Sequence, residues 1–290
     1  LSIRRQRQMC IRDRTIVAVG TSMPEFVVSS SAAFRGSCDM AIGNVVGSNI
    51  FNVFLILGLC ALISPLPLTK NNVRFDIPLT FLASFILFAF TSDTLLGTGS
   101  VDRIGRIEGA IMFLCYIALM IYTIRTSKQD NPAGNAEPRM KMWKAAIAIA
   151  GGLVALIFGS RMFVDGASEL ARRMGISEAM IAITLVAGGT SLPELASSVV
   201  SIIKGQKGMA LGNVLGSNIF NILFILGSCS VIRPLTLGDI DIIDILMVLL
   251  SAILPFIYAF TFRGRAINRI EGAAFLLIYA TYMWWLISKQ

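Results

Sequence analysis

The sequence predicts an all-α polytopic membrane protein built as inverted five-helix repeats, with nine spans visible of an expected ten. Three observations point there: a charge-poor composition, apolar runs long enough to cross a bilayer, and a polar pattern that occurs twice. Of the 290 residues, 55% are hydrophobic and 14% charged, against roughly 45–50% and about 25% in soluble globular proteins. Mean hydropathy is +0.75. Histidine is absent, which excludes His-based triads, His-ligated zinc and His proton relays. The cysteines (Cys10, Cys38, Cys60, Cys115, Cys229) are scattered without a CxxC pair. They read as small buried hydrophobes rather than a disulfide framework or a metal site.

The apolar segments lie at roughly 15–34, 41–63, 75–96, 105–125, 142–164, 176–203, 210–231, 242–262 and 266–287. Each is long enough to cross about 30 Å of hydrocarbon as a helix, and none alternates as barrel strands do. The first and sixth carry Pro24 and Pro193 mid-span. Proline removes a backbone donor and displaces the carbonyl four residues earlier, which leaves Gly20 and Gly189 short of intrahelical partners. Lipid tolerates such groups only where they are buried in protein or line a wet cavity. The longest polar break, with Lys128, Asp130, Pro132, Gly134 and Pro138, reads as a linker over 126–141.

The chain resembles itself. Gly20-Thr21-Ser22-Met23-Pro24-Glu25 recurs as Gly189-Thr190-Ser191-Leu192-Pro193-Glu194, and Gly43 to Asn52 (GNVVGSNIFN) recurs as Gly212 to Asn221 (GNVLGSNIFN), both 169 residues on. Residues 15–58 and 184–227 share 24 of 44 positions without a gap. Arg106-Ile107-Glu108-Gly109 recurs as Arg269-Ile270-Glu271-Gly272, 163 residues on. The first repeat is thus 15–125 and the second 142–290. The span at 142–164 has no counterpart in the first half, so one span is expected to be missing there. Residues 1–14, LSIRRQRQMCIRDR, match nothing at 170–183 and read as a foreign or mis-assembled segment. Five spans per half would send the second half into the membrane from the opposite side, which is the inverted-repeat plan of secondary transporters.

The net charge of +8 includes five arginines (Arg4, Arg5, Arg7, Arg12, Arg14) in that first segment. Of the other basic residues, twelve fall on the side of loops 64–74, 125–144, 204–209 and 263–269, and eight on the other. The positive-inside bias places the linker in the cytoplasm and accounts for the basic excess without nucleic acid.

Among the acids, Glu25 and Glu194 fall near the middle of their spans. An ionisable group there costs about 2.5–3.5 kcal/mol on insertion scales and marks an ion or substrate path. No basic residue sits at comparable depth, so the pair needs a cation or protons. Around it the motifs supply oxygen: hydroxyls of Thr21, Ser22, Ser48, Thr190, Ser191 and Ser217, and amides of Asn44, Asn52, Asn213 and Asn221. Hard cations such as Ca²⁺ and Na⁺ take such ligands. Thr21 and Glu25, Ser48 and Asn52, and their counterparts are four apart, on one helix face. The Gly43-x-x-x-Gly47 and Gly212-x-x-x-Gly216 spacing reads as close helix packing.

The paired GTSxPE and GNVxGSNxxN segments resemble the α-repeats of the cation/Ca²⁺ exchanger superfamily, specifically its sodium/calcium exchanger-like prokaryotic members, over 15–290. The resemblance implies ten helices in two inverted repeats around central ion sites. It implies that Glu25 and Glu194 ligate Ca²⁺ together with Thr21 and Thr190, that Ser22, Ser191, Ser48 and Ser217 add Na⁺ or Ca²⁺ oxygens, and that Ala18 and Ala187 contribute backbone carbonyls. At Asn52 and Asn221 many members carry an Asp in one repeat; here both are Asn, so the site has two acids rather than three. The expected activity is secondary active exchange of Ca²⁺ for Na⁺ by alternating access, in a bacterial inner membrane, with the helix at 142–174 and its first-half counterpart as the moving pair. A Ca²⁺/H⁺ antiporter is the alternative, and K⁺ a further counter-ion. An intramembrane enzyme is disfavoured, since the deep acids are Glu and no His exists. No cofactor is expected beyond the bound, transported ions, and no obligate protein partner beyond the bilayer.

Overall fold

The computed structural model describes residues 18–69, 71–92, 102–128, 142–261 and 266–289. The segment 1–14, the Lys70 loop position and most of the expected linker lie outside the described residues. After a helical turn over 18–21 come α1 (Met23–Arg35), α2 (Cys38–Ile63), β1 (Leu66–Pro67), α3 (Asn72–Phe90), β2 (Arg103–Ile104), α4 (Arg106–Lys128), α5 (Met142–Arg173), α6 (Glu178–Thr190), α7 (Leu192–Ile203), α8 (Lys207–Ile232), β3 (Leu235–Thr236), α9 (Ile242–Thr261), β4 (Ala266–Ile267) and α10 (Arg269–Ser288).

Among the described residues six helices (α2, α3, α4, α8, α9, α10) are long and apolar enough to cross a membrane, or seven if α6 and α7, bent by 41° at their junction, count as one span. Of the nine expected segments, 15–34 is described only from residue 18, and 142–164 lies inside the 32-residue α5. Helix α4 runs through Lys128, into the stretch expected to be linker.

The halves interlock reciprocally. Strand β1 pairs antiparallel with β4, and β2 with β3, so each half's first strand pairs with the other half's second. Helix α4 packs on the end of α8, while α10 packs on the end of α2. The recurring Arg-Ile-Glu-Gly segment explains this symmetry. Glu271 accepts the Asn268 amide at 2.9 Å, closing a capping box at the start of α10, and Glu108 accepts the Gly105 amide at the start of α4. The glycine that follows brings the backbones together: a Cβ at Gly109 would meet the Gly227 carbonyl at 2.9 Å, and one at Gly272 would meet the Gly58 carbonyl at 2.8 Å.

Among the described residues four π-helical stretches depart from plain α-helix, among them Asn72–Asp76 in α3 and Ala182–Val186 in α6. The other two, Phe51–Leu57 in α2 and Phe220–Leu226 in α8, each start beside the last motif asparagine. Such segments gather at functional sites. Of the cysteines, Cys60 and Cys229 are buried as expected, but Cys38 is half-buried and Cys115 is exposed on α4. Cys115 shares that outer face with Leu114 and Ile121, where lipid offers an apolar side chain as good a surrounding as protein.

Candidate ion-binding site

Both breaks fall two residues before the prolines that predict them. Ser22 (φ −85°, ψ 11°) and Ser191 (φ −84°, ψ 6°) interrupt their helices with matching geometry, and Pro24 and Pro193 sit in the first turns of α1 and α7. Proline fits there because a first-turn amide has no intrahelical acceptor in any case. Glu25 and Glu194 follow immediately, in the N-terminal turns of α1 and α7, where the helix dipole favours negative charge.

Each carboxylate is held by the opposite half. Ser22 Oγ donates to Glu194 Oε1 at 2.7 Å, and Ser191 Oγ donates to Glu25 Oε1 at 3.0 Å. Ser217 Oγ also reaches Glu194 Oε1, at 3.3 Å. Both glutamates are fully buried. Glu25 Oε2 and Glu194 Oε2 have no hydrogen-bond partner. The ion pairs seen among the described residues involve other acids, Glu178, Glu169 and Asp241, at the surface.

The threonines are wired the same way. Thr190 Oγ1 lies 3.1 Å from Asn44 Oδ1 and 3.2 Å from the Ala187 carbonyl oxygen. Thr21 Oγ1 lies 3.5 Å from Asn213 Oδ1 and 3.3 Å from the Ala18 carbonyl oxygen. Ser48 Oγ donates to the Ala187 carbonyl at 3.4 Å, whereas its counterpart Ser217 turns to Glu194. Asn52 Nδ2 donates to Asn218 Oδ1 at 3.0 Å, which leaves Asn52 Oδ1 buried and unpartnered; at Asn221 neither amide atom has a partner.

A wall of neutral oxygens around two carboxylates, each with one unpartnered oxygen, suits a hard cation. The sequence pattern described as sodium/calcium exchanger protein matches residues 13–125 and 144–288. The chain belongs to the sodium/calcium exchanger family. As a cation/Ca²⁺ exchanger it is a membrane transporter. It is 36% identical to CaxA of Alkalimonas amylolytica over 288 residues, 95% of this chain and 87% of that one. It is 30% identical to the sodium/calcium exchanger MaX1 of Methanosarcina acetivorans over 302 residues, covering 93% and 86%. A solved structure of the sodium-calcium exchanger NCX_Mj, soaked with Na⁺ and Ca²⁺, superposes with a TM-score of 0.75 at 30% identity over 96% of this chain and 88% of that one.

In this exchanger all twelve sequence-predicted residues lie along the buried seam between the halves: Ala18, Thr21, Ser22, Glu25, Ser48, Asn52 and their counterparts Ala187, Thr190, Ser191, Glu194, Ser217, Asn221. Asn44 and Asn213, read from sequence as further oxygen donors, have their amides fully engaged: Asn44 Nδ2 bonds Ser29 Oγ at 2.9 Å, and Asn213 Nδ2 bonds Ser197 Oγ at 2.9 Å and Ser198 Oγ at 3.3 Å. Sequence reasoning missed Ser29 and Ser198. The signal was there, since each lies four residues after its glutamate and the two match at the 169-residue offset. It also missed Asn49 and Asn218, the second asparagines of the motif. Asn218 Nδ2 donates to the Asn49 carbonyl at 3.3 Å and ties α8 to α2 at the centre.

Asn221→Leu tests the unpartnered amide. A buried polar group without a partner costs about 1–3 kcal/mol, so the leucine variant is expected to melt higher without cations and to bind Ca²⁺ about tenfold more weakly. Calorimetry and Ca²⁺ titration read both. A lower melting temperature with unchanged affinity would make this amide a structural element.

Proposed function

We propose that the chain is a secondary active antiporter that exchanges Ca²⁺ for Na⁺ by alternating access, with the ions bound between the GTSxPE and GNVxGSN segments of two inverted five-helix repeats. It works in a bacterial inner membrane, with linker 126–141 in the cytoplasm. The observation that carries this reading is the pair of fully buried glutamates, each bonded across the seam through one oxygen and unpartnered at the other. Ca²⁺ neutralises both charges in one event, whereas several Na⁺ ions do so only jointly. The empty site, with two charges and no counter-ion, resists exposure to the low-dielectric barrier, which enforces exchange over leak. The reciprocal hydrogen bonds and strand pairings support a two-fold relation between the halves. The long α5, whose main contacts fall on α6 and α7 and whose Val154, Phe158 and Met162 are exposed, suits the part of a moving helix.

Liposomes containing the protein, with Na⁺, H⁺ and K⁺ gradients imposed one at a time, decide the counter-ion. Ca²⁺ uptake is expected to follow the outward Na⁺ gradient alone. With Asn at both 52 and 221, only the two glutamates carry charge, and two protons could balance one Ca²⁺. Uptake driven by a pH gradient without Na⁺ would therefore replace the Na⁺ reading with a Ca²⁺/H⁺ antiporter. Uptake indifferent to every gradient would make the protein a channel.

A further inference from the structure

Asn44 and Asn213 are buried polar side chains on which the transport reading has made no demand. Asn44 Nδ2 is anchored on the helix of Glu25, at 2.9 Å from Ser29 Oγ and 3.3 Å from the Glu25 carbonyl oxygen. Those two acceptors fix which way the amide faces, and its Oδ1 then points across the seam to Thr190 Oγ1 at 3.1 Å. Asn213 repeats the arrangement from Ser197 and Ser198 to Thr21.

A threonine hydroxyl has one proton and two lone pairs. The Thr190 proton can go to Asn44 Oδ1 at 3.1 Å or to the Ala187 carbonyl at 3.2 Å, with the Glu25 carboxylate also close to the hydroxyl. Given to Ala187, it occupies a carbonyl that Ser48 already uses at 3.4 Å. Given to Asn44, it leaves that carbonyl with one donor fewer and points away from it, so both oxygens present lone pairs. Thr21 likewise has Asn213 Oδ1 and the Ala18 carbonyl among its neighbours, with the Glu194 carboxylate close by.

We infer that Asn44 and Asn213 are positioning residues that accept the hydroxyl proton of the opposite half's threonine, and so convert Thr190 with Ala187, and Thr21 with Ala18, into pure oxygen donors for a cation. This rests on the reading that these oxygens ligate the transported ion. Neither asparagine touches the ion. Each acts through a threonine that belongs to the other repeat, so each half tunes the cation affinity of its partner.

A double-mutant cycle on the full chain in detergent, read by calorimetric titration with Ca²⁺, tests it. Asn44→Ala and Thr190→Val are each expected to weaken Ca²⁺ binding about tenfold, in line with the loss of one well-placed buried interaction. The double variant is expected to bind no more weakly than either single variant, because the asparagine has nothing left to hold. Asn44→Ala combined with Thr21→Val, which are not wired together, is expected to multiply to about a hundredfold loss. Thr190→Ser is expected to retain the parent affinity. If Asn44→Ala leaves affinity unchanged while Thr190→Val weakens it, or if the Asn44 and Thr190 effects multiply, the inference fails and the exchanger reading stands. If Thr190→Val has no effect, the inference falls together with the threonine's place in the site, and Glu194→Gln still reports whether the carboxylates bind Ca²⁺. Where Asn44→Ala does not elute as a single folded species, the mirror cycle on Asn213 and Thr21 decides by the same outcomes.

Discussion

Glu194→Gln is expected to abolish Ca²⁺ transport and to raise the melting temperature of the cation-free protein. The two effects have one origin. Glutamine keeps the shape of the side chain, and its carbonyl still accepts the Ser22 and Ser217 hydroxyls that Glu194 Oε1 accepts. What it removes is one of two buried charges that lack a basic partner among the described residues. A unit charge pair 4 Å apart is worth about 4 kcal/mol at an effective dielectric constant near 20, and about twice that for a divalent ion. Ca²⁺ binding is therefore expected to weaken by at least about a thousandfold. The empty protein, relieved of an uncompensated buried charge, becomes more stable and loses its Ca²⁺-dependent shift in melting temperature. Liposome flux and scanning calorimetry read the two signs together. Flux near the parent level, or a lower melting temperature in the absence of Ca²⁺, would remove Glu194 from the site. Glu25→Gln is expected to behave alike through its bond from Ser191.

Gly47→Val carries the other large effect, and it acts on the fold. A Cβ at Gly47 would stand 2.2 Å from the Ile183 carbonyl oxygen and 2.6 Å from the Ala187 Cβ. Both obstacles belong to α6, the first of them backbone, so no rotamer change relieves the clash. Valine adds two further methyl groups and drives α2 away from the segment that carries Ala187 and Thr190. A loss of more than about 4 kcal/mol is expected, seen as the disappearance of the folded species in size-exclusion chromatography. Gly152→Val on α5, where a Cβ meets nothing within 4 Å, is the matched control and is expected to elute and melt like the parent. Native elution of Gly47→Val would show that α2 and α6 do not pack as described.

These two cases separate what the sequence reveals from what it hides. Six or seven of the nine expected spans, the proline breaks and the buried glutamates were legible because hydropathy, Pro24 and Pro193 act locally, and because a charge in lipid stands out against its neighbours. The close-packing role of Gly43 and Gly47 was legible from spacing, and the structure bears it out: a Cβ at Gly43 would lie 2.8 Å from the Ala182 Cβ. The division of labour among the polar residues was not legible. Asn44 and Asn52 look alike in a motif, yet one has its amide engaged on both sides and the other keeps a buried, unpartnered oxygen. That difference arises from which groups the opposite half places within reach, and residue type alone does not encode it. The π-helical turns after Ile50 and Ile219 were equally hidden, because an apolar run looks the same whether its helix is wound with 13-atom or wider hydrogen-bonded rings.

Ser48 and Ser217 occupy matching places in sequence, yet one donates to the Ala187 carbonyl and the other to a Glu194 carboxylate oxygen. A duplicated sequence thus holds a lopsided set of bonds. The sequence also holds the counterpart groups, Ala18 matching Ala187 and Glu25 matching Glu194 at the same 169-residue offset as Ser48 and Ser217. Exchanging the two bonding patterns would trade the roles of the halves without any new chemical group. Under the alternating access proposed above, broken symmetry of this kind would supply both settings of the switch from one set of parts.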